Sequence, residues 1–540
     1  MPLCRNLSLV LLFFVPFTLS SQIFPKEGSK LNYRIIGFSF PQLKDARCKL
    51  EIARGNYSTA GTFNKNIITS TDCASGNMIA EVPSFGCDYT WLVKYAGKHT
   101  VNSDLHHFST LMSAKVDTAI KRLRIASAAR GYKDAYIFLD GTRVLYDMSG
   151  NPVWFLPDSS FSITESTNVR DIKLSPFGTI TFLTDDEVYE INYDGAILWK
   201  GPNTGEVSGA ATELYHHEFT RLQNGHYMAL GGERPLWKLQ RYDSSSEDTV
   251  ANPVIRQDSF FYQRMQFGTV IEYDEHGKVV WSWKSSDYFK ESDLYKREMA
   301  GGLFDTRDVH ENSFFFDEKA GIVYVSFRDI SRLVKVNYRA GTISAVYGNA
   351  YEPGMEGTGN ELFCGQHSIG VTQDGYLYLF NNNALAQNDF PKLIMMQEPR
   401  EGTGELIKIW EYTLTLEGLS EREQNAYNKY TERLQLMQTR QKSPHLKQRL
   451  TSGGSVTELP DRSFLASMNG PFSKIFIINR NKEIMWNAVP ERRQSKDSLW
   501  NLCPTYKANI ITGPKSFEQL IWNGEAGKVQ VGSQGKKNDE

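Results

Sequence analysis

This chain of 540 residues is poor in several things, and each shortage removes a class of function. There is no excess of positive charge: 60 Lys and Arg face 62 Asp and Glu, for a formal net charge of -2. Nothing here neutralises a phosphate backbone, and Lys536-Lys537 sits in a polar tail, so nucleic acid is not expected as a partner. Beyond the first twenty or so residues no apolar run reaches the roughly 20 residues that cross a bilayer, so no membrane span is expected. Cysteine is rare, at 6 residues, and histidine amounts to only 10, so any pattern among the histidines carries weight.

What is present begins with a leader. Arg5 supplies a positive start, Leu7 to Leu19 an apolar stretch, and Thr18-Leu19-Ser20-Ser21 a small-residue cleavage site. Residues 1–21 therefore read as a signal peptide, and the mature chain as secreted or lumenal. Without Cys4, five cysteines remain: Cys48, Cys73, Cys87, Cys364 and Cys503. Three crowd the N-terminal region, so one local disulfide is expected there, with its partners open. Cys364 and Cys503 pair if the last repeat lies beside the fifth. Asn56-Tyr57-Ser58 is a glycosylation sequon consistent with a glycoprotein.

Hydrophobic content of 40% and charged content of 23% are those of a folded protein, and the length allows two domains. Six times a turn of Asp, Asn or Gly type is followed one strand later by a large aromatic. Tyr146 to Gly150 leads to Trp154, Asn192 to Gly195 to Trp199, and Tyr273 to Gly277 to Trp281. Asn337 to Gly341 leads to Tyr347, Gly402 to Glu405 to Trp410, and Asn479 to Lys482 to Trp486. Such turns reverse hairpins, and recurrence every 40 to 80 residues or so predicts an all-β, six-bladed β-propeller over 131–525. Strand-rich runs without this signature over 30–112 predict a small N-terminal β-sandwich. Residues 113–130 are basic, Ala-rich and helix-compatible, and read as a linker. Two insertions follow, a polar loop over 240–266 and a charged surface helix within 417–447. Residues 526–540 read as a disordered tail.

A propeller makes equivalent positions of different repeats neighbours in space. His217 lies eight residues before Gly225, and His367 eight before Gly375. His310 precedes Asp317 and Gly321 through a longer turn, and Arg170 holds the same place eight before Gly178. The expected location is the mouth of each innermost strand. His216 is expected to point the other way from His217, since strand neighbours alternate faces. Arg328 ends the apolar strand that returns after His310; its bland alternative is a salt bridge to Asp329. Three imidazoles and a guanidinium around one channel suit a tetrahedral oxyanion such as a sulfuryl or phosphoryl group.

These segments resemble the arylsulfate sulfotransferase (arylsulfotransferase) family, a six-bladed propeller with an N-terminal β-sandwich. The resemblance rests on His216-His217-Glu218-Phe219 through Asn224-Gly225, on Val309-His310-Glu311-Asn312-Ser313 through Ser326-Phe327-Arg328, and on Gln366-His367 through Asp374 to Asn382. It implies an enzyme that moves a sulfuryl group from a small-molecule aryl sulfate donor to a phenolic acceptor, with no nucleotide donor, cofactor or metal. His367 would be the transiently sulfated nucleophile. Arg328, His310 and His217 would bind and polarise the sulfate, with Asn312 as a supporting contact; His216 and Arg170, from their places beside the histidine register, are the further substrate-binding candidates. Many family members read Phe-Asp-Asn where this chain has Phe380-Asn381-Asn382, a lost carboxylate. Two alternatives stay open: a metal-dependent hydrolase with three histidine ligands, and a non-catalytic secreted propeller that binds a ligand.

Overall fold

The computed structural model describes residues 23–43, 46–97, 100–128, 131–161, 163–164, 166–243, 254–289, 309–348, 362–383, 390–399, 405–440, 453–469 and 473–530. The leader thus lies outside the described residues, as do the turn residues Gly402 to Gly404. The fold is mostly β, in many small sheets, and it divides at Leu111/Met112 into two units. In the first unit a six-stranded sheet contains Arg47–Arg54, Ile67–Cys73, Asp88–Ala96 and His106–Thr110, while Ile35–Ser39 pairs with Asn77–Glu81 in a second sheet. Phe38 of the smaller sheet meets Trp91 and Phe108 of the larger edge-on, at 5.2 and 6.0 Å between ring centroids.

None of the five described cysteines forms a disulfide, which corrects the expected pairing. Cys48 and Cys73 stand opposite each other on adjacent strands, but the Cys48 thiol turns to donate to the Cys73 carbonyl at 3.2 Å. Cys364 lies instead against the Ser331 hydroxyl, at 3.5 Å.

Among the described residues the second unit holds six sheets of four or more strands, besides one two-stranded sheet. The first contains Tyr136–Leu139, Val144–Asp147 and Pro152–Phe155, and its fourth strand, Ala508–Ile511, comes from near the C-terminus. The second runs from Arg170–Leu174 to Ile197–Lys200, and the third from Phe219–Arg221 to Val279–Lys284. The fourth runs from Glu311–Asp317 to Thr342–Tyr347, the fifth from His367–Val371 to Ile407–Thr413, and the sixth from Ser455–Glu458 to Ile484–Arg492. The repeated turns join the last two strands of these sheets, and their chemistry is local. Asp147, Asn192, Asp274 and Asn479 each accept a backbone N–H four residues on through Oδ1, at 2.8 to 3.0 Å.

The aromatics after those turns tie each sheet to the next. The indole N–H of Trp154 donates to Tyr193 O at 2.7 Å, that of Trp281 to Tyr338 O at 2.8 Å, and that of Trp410 to Arg480 O at 2.9 Å. Trp486 of the sixth sheet donates to Met148 O of the first at 3.0 Å. A second set of links joins the opening strands. Asp171, Glu218, Ser313, Ser368 and Ser455 accept, in turn, the backbone N–H of Phe219, Phe314, Ile369, Val456 and Ala508. Asn509 Nδ2 then donates to Ile172 O at 3.0 Å, which returns the circuit to the second sheet. Each acceptor directly follows a strand-mouth position, so this circuit holds the mouths of all six sheets together.

Three segments differ from expectation. Residues 113–130 contain a strand, Lys121–Ser127, which pairs with Ile484–Arg492. Its composition suits a helix, but Leu123 is buried there, and Arg122 and Arg124 both reach Glu491, at 2.6 and 2.7 Å. Within 240–266 the described residues form a hairpin, Leu236–Asp243 with Val254–Arg264, rather than a loop. The helix Pro514–Gln530 extends into the tail expected to be disordered; Phe517 stacks on Tyr136 at 4.0 Å and gives the helix an anchor. The charged helix appears as Glu421–Arg440, and the remainder of 417–447 after it lies outside the described residues. No helix among the described residues is long and apolar enough to cross a membrane.

Candidate functional site

The hydrogen-bonded circuit defines the register of the site better than the turns do. Two residues before each linked N–H stand His217, Asn312, His367, Gly454 and Tyr506, and Arg170 holds the matching place before Ile172. In the fourth sheet a register shift between Glu311 and Ser313 puts Asn312 at this position and His310 two residues earlier. Gly454 puts no side chain in its place, where a Cβ would meet the Phe380 ring at 2.7 Å. His217 and His310 have φ of 59° and 50°, a left-handed conformation uncommon outside glycine and costing about 1 kcal/mol or more.

Their rings converge. The His217 ring centroid lies 5.2 Å from that of His310, 6.5 Å from His367 and 5.6 Å from Tyr506, and His367 lies 6.1 Å from Tyr506. His216 does not point away as expected. Its Nδ1 is 2.8 Å from Nδ1 of His217, because the positive φ at His217 breaks the alternation of an extended strand. One of these nitrogens must donate and the other accept, so the tautomers of His216 and His217 are coupled. The Arg328 backbone N–H donates to His310 O at 2.9 Å, which ties the guanidinium to the same mouth. The Arg328 side chain is buried and does meet Asp329, with Nη1 to Oδ1 at 3.1 Å; Oδ2 of that carboxylate is 3.8 Å from His310 Nδ1.

His367 is 2% exposed and held from one side. Its Nδ1 is 2.7 Å from Asn382 Nδ2 and 3.3 Å from Gly365 O, while Asn382 also donates to Gly365 O at 2.7 Å. Behind it the Gln366 amide donates to Ser326 Oγ, Phe327 O and Arg332 O, and Asn312 Nδ2 donates to Gln366 O at 2.7 Å. The Asn312 N–H thus helps position the His367 segment, while its buried Oδ1 has no hydrogen-bond partner among the described residues. The departure at Asn381 falls outside the cluster. Its Oδ1 accepts Cys364 N–H and Asn383 N–H, both at 2.9 Å, a duty that an amide oxygen performs as a carboxylate oxygen would.

The electrostatics favour neutral imidazoles at His217 and His367. Burial, His216, His310, Arg170 and His367 together hold His217 well below the ordinary imidazole value. Burial, Arg328 and His310 do the same for His367, with Gly365 opposing. One residue deeper lies a charged layer that was not predicted. Lys507 Nζ bridges Asp171 at 3.3 Å and Glu218 at 3.2 Å, and Lys173 Nζ meets Asp171 at 2.7 Å. Burial pushes the Asp171 carboxyl up, but Lys173 and Lys507 outweigh it and hold it below the usual range. Asp140 accepts the backbone N–H of Tyr506 and Lys507 at 2.9 and 2.8 Å, and burial pushes it up to about 7.

Tyr506 was also missed, because its strand joins the first sheet from the far end of the chain and carries no histidine. The Arg170 guanidinium lies over its ring, 5.6 Å from the centroid. Among the described residues no three His, Cys, Asp or Glu side chains form a group that could hold a metal ion. Two guanidiniums beside the imidazoles suit an oxyanion instead.

No curated protein matches the chain. Among solved structures, a protein of unknown function from Bacteroides caccae is 9% identical with a TM-score of 0.35, over 73% of this chain and 99% of that one. An auxiliary nutrient binding protein from Bacteroides ovatus is 9% identical with a TM-score of 0.31, over 90% of each chain. Residues 261–400, the stretch that carries His310, Asn312, Arg328, His367 and Asn382, match the family model of arylsulfotransferase (ASST).

Proposed function

We propose that this protein is a sulfotransferase enzyme that moves a sulfuryl group from a phenolic sulfate ester to another phenol through a sulfohistidine at His367. The observation that carries the reading is the convergence of His217, His310 and His367, with rings 5.2 and 6.5 Å apart, beside the buried Arg328. The match of residues 261–400 to the family model supports it. In the first half-reaction, neutral His367 attacks sulfur through Nε2. The Nε2–S bond forms, the S–O bond to the aryl group breaks, and the phenolate departs with the bonding pair. For this attack the imidazole proton sits on Nδ1 and donates to Gly365 O. In the second half, an acceptor phenolate attacks the sulfur and the Nε2–S bond breaks. Arg328 faces the non-bridging oxygens in both halves.

The same proposal takes the six sheets as six blades of a propeller, with the histidine mouths at one end of its channel, and the first unit as a β-sandwich. Secretion through the 1–21 leader and glycosylation at Asn56 belong to it as well. The test is incubation with a chromogenic aryl sulfate, with and without an added phenol. Release that depends on the phenol, with sulfate trapped on His367 when the phenol is withheld, is the expected result. Release without a phenol means hydrolysis, and no release at all means a binding module.

A further inference from the structure

We propose that Tyr506 is a catalytic residue whose hydroxyl donates a hydrogen bond to the phenolic oxygen of donor and acceptor. This rests on the sulfuryl-transfer reading and deepens it. Three observations carry it. Tyr506 stands two residues before the first sheet's strand Ala508–Ile511, at the register held by Arg170, His217, Asn312 and His367 in others, so it belongs to the ring of mouth residues. Its ring centroid lies 5.6 Å from His217 and 6.1 Å from His367, so a sulfuryl group between those imidazoles is also beside Tyr506. Its hydroxyl has no hydrogen-bond partner among the described residues, and the side chain is half-buried rather than sealed.

Several neighbouring groups are already engaged in part. Nδ1 of His217 is taken by His216, Arg328 is paired with Asp329, and Asn312 holds Gln366. What the chemistry still needs is a donor for the oxygen on which charge grows as the S–O bond breaks. A tyrosine O–H meets that need in both directions: it donates to the departing phenolate and later to the incoming one, while its own proton stays in place. Burial raises the Tyr506 hydroxyl above its ordinary value, against the pull of Lys507 and Arg170, which keeps it protonated. Asp140 fixes the backbone beneath it, and Arg170 covers its face.

The test compares wild type with Tyr506→Phe on aryl sulfates whose leaving phenols span a wide range of acidity. For the least acidic phenols, kcat/KM is expected to fall about tenfold to a hundredfold; for the most acidic it should stay within about threefold. The logarithm of the rate should therefore fall more steeply with leaving-group pKa. Equal loss across the series, or no loss, overturns the assignment while leaving sulfuryl transfer intact. Wild type inert toward every aryl sulfate overturns both. If Tyr506→Phe fails to fold, 3-fluorotyrosine at 506 keeps the shape with a more acidic hydroxyl. Rates that then change most for poor leaving groups support the role, and a uniform response overturns it.

Discussion

Asn382 Nδ2 lies 2.7 Å from Nδ1 of His367, and the same amide donates to Gly365 O at 2.7 Å. Turning the amide over would set two carbonyl oxygens against each other, so Asn382 presents N–H to both. His367 then rests with its proton on Nε2, because the contact of 2.7 Å outweighs that of 3.3 Å to Gly365 O. Attack through Nε2 needs the other tautomer, with Nδ1–H donated to Gly365 O. That tautomer sets Nδ1–H against the Asn382 N–H, so the amide must give way before attack.

Asn382→Asp should lock Nδ1–H and stabilise the imidazolium. A carboxylate this close raises a neighbouring cation's pKa by about 1 unit or more, so the acid limb of kcat/KM should move up by that amount. An unshifted pH profile with normal folding would show that Asn382 does not govern the proton on His367.

In the wild type the acid limb should lie low. Burial and Arg328 hold His367 below the ordinary imidazole value, so the reactive neutral form survives well under a pH of about 6.5. Measured kcat/KM should therefore stay level as pH falls through about 6.5 and drop only below it. A half-loss at or above that pH contradicts a depressed nucleophile.

Arg328→Lys keeps one charge but loses the planar fork, and Arg328→Ala loses both. The alanine variant should cost on the order of a hundredfold or more in both half-reactions, and lysine should recover only part of it. Burst and steady-state rates separate the halves; an effect confined to one half would place Arg328 on the aryl group and not on the sulfuryl oxygens.

Trp486 is fully buried and its N–H reaches Met148 O, linking the sixth sheet to the first. Trp486→Ala should destabilise the unit by about 3–5 kcal/mol, read by denaturant unfolding. Loss under about 1 kcal/mol would mean that this seam does not hold the circuit.

Several features were legible because their causes are local. Asp147, Asn192, Asp274 and Asn479 announce the hairpins because an Asx side chain caps its own turn within four residues. His217 and His367 could be aligned because turn and strand mouth keep a fixed spacing when no residue is inserted between them. His310 was placed less well: a register shift between Glu311 and Ser313 gives that position to Asn312. Lys121–Ser127 reads as helix by composition, and pairing with Ile484–Arg492 across more than half the chain overrides it.

The sequence by itself determined the β repeats, their turns, the aromatic ties and the three histidines, since each is written in short segments whose chemistry acts within a few residues. Only the tertiary structure decided what joins across distance. Ala508–Ile511 completes the first sheet and brings Tyr506 beside His217, and Lys507 finds Asp171 and Glu218 from more than 280 residues away. Asn382 reaches His367 from the neighbouring strand's end. Spacing along a chain cannot report such contacts, because strand pairing and the meeting of buried charges depend on which ends the folded backbone returns to the same place.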